Sequence, residues 1–343
     1  MINIGLPKVA IIVLNWNGWE DTIECLESLT QIDYPNYQVI VVDNGSNDDS
    51  VLKIKQWAEG KLCVISRYLQ HGKKNMIFNY FEYDVDDNIS KLPVIDEKII
   101  ILKCKNNLGY AKGNNVGARF AFDHTKADYA LILNNDTVVM RNFLGEMIDE
   151  ANIDAKSMLF GPKILNYERK DYLRSAVYKR PGFFAMLMFF SPLKHLFLKF
   201  PLFYAKQPKN NDPRKVYAIS GSCMLFRKMA MQDIGGFDEA TFLGWEEFVI
   251  AEKMKLKGYS TVFVPRSVIY HKWGRSTAKI DPADKMIGFL ESEKYFQRNY
   301  LHLPSIQYGI VNVIQLSIFA FYSMFNADYR KSLIKIFFAM FGD

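Results

Sequence analysis

The chain has 343 residues, of which 49% are hydrophobic and 23% charged, with a formal net charge of +6. That is ample material for one large α/β domain with an appendage, or for two domains, and it excludes a disordered chain. The mild positive charge comes without a DNA- or RNA-binding signature, so no nucleic-acid partner is expected. Cys25, Cys63, Cys104 and Cys223 form no C-x-x-C pair and no histidine cluster joins them. This argues against a zinc or disulfide framework and fits a reducing compartment. The first residues lack the charged region, long apolar core and small-residue cleavage site of a secretory signal, so a cytosolic catalytic part is expected.

Val9–Leu14 is an apolar run of strand length, closed by the turn sequence Asn15-Trp16-Asn17-Gly18. From Trp19 to Leu29, Ile23, Leu26 and Leu29 recur at helical spacing. Val39–Val42 repeats the strand, Asp43-Asn44-Gly45-Ser46 ends it, and a helix is predicted from about Asp49 to Ala58 with Ser and Asp residues as caps. Strand–helix–strand–helix order predicts a parallel sheet with crossover helices. Residues 66–98 are polar, turn-rich and aromatic, and are read as an insertion on the rim of the sheet.

The strand pattern resumes at Ile99–Leu102. Gly109, Gly113 and Gly117 then stand four apart, which stacks them on one helical face. This is not G-x-G-x-x-G, and no Walker A sequence occurs, which disfavours a dinucleotide or P-loop enzyme. Ala130–Leu133 is the next strand, stopped by Asn134-Asn135-Asp136. Residues 179–215 mix aromatics with eight Lys and Arg residues against one acid, Asp212. A helix is predicted to start near Trp245-Glu246-Glu247, and strands at Val262–Val264 and Ser267–Tyr270. No charged residue occurs from Leu303 to Ala327, a length that can span a bilayer. At about 100° per residue, however, Ser305, Tyr308, Asn312, Gln315, Tyr322, Ser323 and Asn326 gather on one side. An amphipathic helix, lying on a membrane or packed on the domain, fits this better than a lone span.

Three polar clusters sit where strands end: Asn15/Asn17, Asp43/Asn44 and Asn134/Asn135/Asp136. In open α/β sheets the ligand crevice lies beyond the carboxyl ends of the strands. Each cluster alone reads more readily as a turn than as a site, but three in succession point to one shared ligand. Asp43 offers acceptors to a base or ribose, or closes an Asx-turn. Asp136 offers a carboxylate to a divalent cation shared with a diphosphate. Glu246 and Glu247 at a helix start are either partners of the helix dipole or supply a general base whose affinity for a proton rises with burial and like charge. A lone histidine is most often structural, but His271, followed by Lys272, Arg275, Ser276 and Thr277, suits a metal ligand beside an anion-binding loop.

Together the stretches VAIIVLNWNG, VIVVDNGSNDDS, NNLGYAKGNNVG, LILNNDT, GSCMLFRK, IGGFDEATFLGWEE and HKWGRST resemble the family 2 inverting glycosyltransferases, especially the rhamnosyltransferase-like branch. The resemblance implies a GT-A-type, Rossmann-like, mostly parallel sheet flanked by helices, with a C-terminal amphipathic helical tail. The glycosyltransferase domain would occupy residues 1–300, with a nucleotide-binding half to about 140 and an acceptor-side half to 300, and residues 301–343 would form the tail. It implies a nucleotide-sugar donor and Mg2+ or Mn2+. Asp43 matches the acid that binds the base or ribose, Asp136 the last acid of the D-x-D motif, and Glu247 the catalytic base, with Glu246 beside it. His271 matches a histidine at the metal and diphosphate. Asn15, Asn17, Asn44, Asn107, Gly109, Lys112, Asn134, Asn135, Lys272 and Arg275 fall in the matching donor-site stretches. The sequence departs from the family pattern at Asn134, where the first D-x-D acid stands, at Glu247, usually Asp, and at Val249, usually Asp.

The expected reaction is a single displacement that moves a sugar from a UDP- or dTDP-sugar, dTDP-rhamnose among them, to a glycan or lipid-linked acceptor in cell-surface polysaccharide or glycoconjugate synthesis. Peripheral contact with the cytoplasmic face of a membrane is expected from the C-terminal helix and from residues 179–215. The alternatives are a nucleotidyltransferase acting on a sugar phosphate and a non-catalytic glycan-binding protein.

Overall fold

In the computed structural model, the structure describes residues 5–64, 66–69, 77–85, 92–173, 176–189, 204–205, 210–274, 281–325, 330, 333–335 and 337. The chain opens with strand β1 (Val9–Asn15), helix α1 (Trp19–Leu29), strand β2 (Tyr37–Asn44) and helix α2 (Ser50–Ala58). Next come β3 (Tyr80–Asp84), β4 (Ile99–Cys104), α3 (Gly109–His124), β5 (Tyr129–Asn134), β6 (Thr137–Val139) and α4 (Phe143–Ala151). They lead to β7 (Ser157–Asn166), β8 (Val177–Tyr178), α5 (Phe183–Phe189), β9 (Arg214–Val216), β10 (Ala218–Ile219) and β11 (Cys223–Arg227). The last elements are α6 (Lys228–Asp233), α7 (Glu246–Leu256), β12 (Ser260–His271), α8 (Pro282–Asn299) and α9 (Ser305–Phe325).

One mixed sheet runs in the order β3-β4-β2-β1-β5-β11-β7-β12-β6, with β9 added beside β12. The strands from β3 to β5 are all parallel, with helical crossovers after β1, β2 and β4. β11 enters antiparallel between β5 and β7, while β7 and β12 are parallel to each other. Both faces are covered. Val9, Ile11 and Val13 join the cluster that holds Ile23, Leu26 and Met147, and Ala10 and Ile12 join the one that holds Phe120 and Ile250. Two buried faces explain why these strands read as unbroken apolar runs rather than as alternation. Helix α3 lies close on the sheet because Gly113 and Gly117 face it. A Cβ on Gly113 would come within 2.6 Å of the Leu14 side chain, and one on Gly117 within 2.5 Å of Ile12.

Two local readings change in three dimensions. The segment 66–98 contributes an edge strand, β3, whose Glu82 bridges Lys55 and Lys103 at 2.7 and 2.8 Å. The two short strands predicted over 262–270 are one, β12, whose register against β7 shifts between Val264 and Val268. Pro265 sits in that shift, where it lacks the N–H a regular ladder would use. Past the bulge β12 pairs with β6, setting His271 opposite Thr137. Helix α9 is amphipathic, and its polar side faces the protein: Asn312, Gln315 and Ser323 are buried, whereas Ile306, Val313, Phe321 and Met324 are exposed.

Candidate active site

The carboxyl ends of β1, β2 and β5 lie side by side, and one hydrogen-bond chain ties their polar clusters together. Asn135 Nδ2 donates to Thr22 Oγ1 (3.0 Å), Thr22 Oγ1 donates to Asn15 Oδ1 (2.7 Å), and Asn15 Nδ2 donates to Asp43 Oδ1 (2.8 Å). Asp43 also accepts from the Ser46 hydroxyl (2.6 Å) and the Ser46 amide (3.1 Å). Its buried carboxylate therefore closes the turn after β2. Asn17, in the left-handed region at φ 50°, accepts from the Asn47 amide at 2.9 Å. Asn44 reaches across to the start of α3: its Nδ2 donates to Asn107 Oδ1 (2.9 Å) and its Oδ1 accepts from the Leu108 amide (3.0 Å). Asn107 in turn accepts from the Gly109 amide at 2.9 Å. These bonds shape the loop between β4 and α3 as one wall of the crevice. Lys112 is exposed on α3, and its charge acts on Glu239.

Asp136 and His271 are 135 residues apart in sequence and meet at 3.0 Å through Asp136 Oδ1 and His271 Nε2. The pairing of β6 with the end of β12 makes this contact, and the amide of Lys272 adds a bond to the Asp136 carbonyl (3.0 Å). Burial pushes the Asp136 carboxyl up, but the charge and hydrogen bond of His271, with Lys272 nearby, outweigh it and hold the group below its ordinary value. His271 Nδ1 is buried with no hydrogen-bond partner. One carboxylate and one imidazole at a crevice suit a hard divalent cation that completes its shell with phosphate oxygens and water. Among the described residues no three His, Cys, Asp or Glu side chains cluster as an all-protein cage would require. Asn134 stands half-buried at the end of β5, with its amide bonded to the Ser222 carbonyl at 2.9 Å.

Glu246 and Glu247 form the first turn of α7, after Gly244 and Trp245, both at positive φ. Glu246 is buried, and its Oε1 has no hydrogen-bond partner. Burial, then the charge of Glu247, pushes its carboxyl up to about 8. Glu247 is half-buried and its carboxyl is also raised by burial, against a hydrogen bond from Tyr178 that favours the charged form. The two carboxyls share one buried helix turn, so a charge on one raises the affinity of the other for its proton. The turn between β10 and β11 faces that carboxyl: a Cβ on Gly221 would lie 4.0 Å from Glu247 Oε2. The next residue, Ser222, bonds to Asn134, so this turn joins the Glu247 side of the crevice to the Asp136 side.

Lys272 is tied to helix α1. Its ammonium bonds to both Asp21 and Glu24 on α1, and Tyr167 donates to Glu24 at 2.6 Å. Burial alone would lower the Lys272 ammonium, yet the two carboxylates raise it. Arg275 lies outside the described residues. Sequence reasoning missed Tyr178, Tyr110, whose hydroxyl donates to the Gly221 carbonyl at 2.5 Å, and the Ser220–Ser222 turn. The stretch GSCMLFRK held the signal for the turn, since a Gly flanked by Ser just before an apolar strand marks a tight approach.

Parallel strands with crossover helices, a polar crevice at their carboxyl ends and an acid–histidine corner are the arrangement of a GT-A-type fold. Residues 7–285 match the family described as glycosyltransferase like family 2, and the chain belongs to that family. The N-acetylglucosaminyl-diphospho-decaprenol L-rhamnosyltransferase of Mycobacterium tuberculosis is 31% identical over 93 residues, covering 27% of this chain and 30% of that protein. The low-salt glycan biosynthesis hexosyltransferase Agl10 of Haloferax volcanii is 27% identical over 208 residues, 58% of this chain and 63% of its own length. The chain thus spans less than two thirds of either relative. Among solved structures, GalNAc-T7 with UDP, GalNAc and Mn2+ superposes with a TM-score of 0.55 at 14% identity, covering 86% of this chain and 48% of that one. The mannosyltransferase PcManGT from Pyrobaculum calidifontis with GDP-Man and Mn2+ gives 0.51 at 16% identity, covering 98% and 86%. At these identities the likeness establishes the GT-A fold.

Proposed function

We propose that the chain transfers a sugar from a nucleotide-diphosphate sugar to an acceptor hydroxyl with inversion, using Glu247 as the base. The observation that carries this is the Glu247 carboxyl, half-buried and raised, across the Gly221–Ser222 turn from the Asn134–Asp136 corner. In the ionised form Glu247 takes the proton of the acceptor hydroxyl. The freed oxygen bonds to the anomeric carbon as the bond from that carbon to the diphosphate breaks, and the nucleoside diphosphate leaves from the opposite face. One displacement inverts the configuration and needs no enzyme nucleophile. The coupling of buried Glu246 to Glu247 keeps a second negative charge away from the donor diphosphate. Asp43, with Asn15 and Ser46 fixing its oxygens, faces the base or ribose, and Asn44 and Asn107 shape the loop beside it. Asp136 and His271 would hold Mg2+ or Mn2+, which when bound neutralises charge on the departing diphosphate. The nucleotides and Mn2+ in the two solved structures support this reading.

The nucleotide-binding half is assigned to about residues 1–140 and the acceptor-side half to 141–300. A UDP- or dTDP-sugar, dTDP-rhamnose among them, is the proposed donor. A lipid-linked diphosphate glycan at the cytoplasmic face of a membrane is the proposed acceptor, in keeping with the mycobacterial relative's name. The test is a screen of UDP-, dTDP- and GDP-sugars with Mn2+, reading products. Free nucleoside diphosphate is expected; pyrophosphate would instead indicate nucleotidyl transfer. Glu247→Gln should lower turnover at least about 100-fold while donor affinity stays within a few-fold. Full turnover in that variant would remove Glu247 from the role of base.

A further inference from the structure

Helix α9 presents its sides in the reverse of the usual order for a surface helix. Gln315 (1% exposed), Asn312 and Ser323 are turned inward with Val311 and Phe319. Gln315 Nε2 donates to Glu293 Oε1 on α8 at 2.8 Å, and Gln297 donates to the same oxygen at 2.8 Å. This buried polar junction fixes the rotation of α9 about its own axis. The opposite side then carries Ile306 (78% exposed), Val313, Phe321 (56%), Met324 (66%) and Phe325 (74%) to the outside. At 100° per residue these positions fall on one stripe. Ser317 lies on the same stripe, and its hydroxyl is satisfied within the helix by the Val313 carbonyl at 2.8 Å. Gln307 stands at the edge of the stripe, level with Phe325, and the rest of this long exposed face is apolar, which marks an interaction surface.

Charge decides the occupant. No charged residue occurs from 303 to 327, and the flanks carry Arg298, Arg330, Lys331 and Lys335 against Asp328. Arg330 lies at the carboxyl end of α9, bonded to the Ser323 and Met324 carbonyls at 3.1 Å each. Helix α5 packs against α9, and among the described residues Arg298 before the helix and Arg330 and Lys335 after it are exposed. A second copy seated on this face would bring these exposed cations at the helix ends against one another. Anionic headgroups would pair with them while acyl chains cover the apolar stripe.

We propose that the outward side of α9 seats flat on an anionic lipid bilayer. Spanning is disfavoured because it would strip Gln315 from Glu293 and expose the buried Asn312 amide to hydrocarbon. The platform under α9 also reaches the site: Phe296 of α8, one residue before Gln297, stacks on Trp245 at 5.3 Å, and Trp245 precedes the Glu246–Glu247 pair. Docking stands independently of the glycosyl-transfer reading, since binding to vesicles needs no turnover.

The test is flotation of the full chain with phosphatidylcholine vesicles containing a quarter phosphatidylglycerol. The wild type should float with the vesicles, and Val313→Asp/Phe321→Asp should lower the bound fraction at least tenfold with circular dichroism unchanged. Phe321→Trp gives a second readout: its emission should shift to the blue on vesicle addition and be quenched by brominated acyl chains. A wild-type chain that stays wholly in the soluble fraction would overturn the proposal. So would undiminished flotation of the double variant, a Phe321→Trp signal indifferent to brominated lipid, or a dimer that the double variant splits and vesicles do not compete for.

Discussion

Glu293 gives the sharpest physical prediction. Its carboxyl is buried beneath α9, with only the amides of Gln297 and Gln315 as donors, both to Oε1, and with Oε2 buried and unpartnered. Burial outweighs those two hydrogen bonds and pushes the group up to about 8 from an ordinary 4.5. A carboxyl whose folded value lies above its unfolded one binds its proton more tightly when folded. Its contribution to stability is therefore fully present below pH 4.5 and is lost as pH rises toward 8. Each tenfold in proton affinity is worth about 1.4 kcal/mol, so the loss at pH 7 is about 3 kcal/mol. Glu293→Gln keeps an acceptor at Oε1 and cannot ionise, so that loss disappears. Urea unfolding of both proteins at pH 5 and pH 7.5 measures this: the variant should gain about 3 kcal/mol on the wild type between the two. Parallel stability curves across that window would show that Glu293 is not buried as a neutral acid, and that the α8–α9 junction is wetter or looser than described.

Asp136→Ala should abolish the stimulation of donor binding by Mn2+, read by calorimetry with and without EDTA; binding that ignores both the chelator and the substitution would remove the metal from this corner. Lys272→Met leaves Asp21 and Glu24 without their buried cation and should destabilise the fold by about 3–5 kcal/mol, measured by denaturant unfolding. A cost under about 1 kcal/mol would mean the triad is solvated. Gly117→Ala gains helix propensity but drives a methyl to within 2.5 Å of Ile12, so a net loss of about 1–2 kcal/mol is expected; a stabilised variant would show that α3 can lift off the sheet.

What the sequence alone determined is what depends on neighbours along the chain. The runs at Val9–Leu14, Val39–Val42 and Ala130–Leu133 read as strands because both their faces are buried. The polar residues after them mark where those strands end. The glycines of α3 announce close packing because a missing side chain is visible in any sequence. Only the tertiary structure decided what depends on partners far away. Asp136 meets His271 because β12, past the bulge at Pro265 in its pairing with β7, pairs with β6, and registers are fixed by whole-sheet pairing, not by local pattern. Lys272, which suits a diphosphate in sequence, is drawn to Asp21 and Glu24 because α1 brings two buried acids to it. The amphipathicity of α9 was legible, but its orientation was not. A helical period gives two faces, and only Glu293, held by α8 within reach of Gln315, determines which of them turns inward.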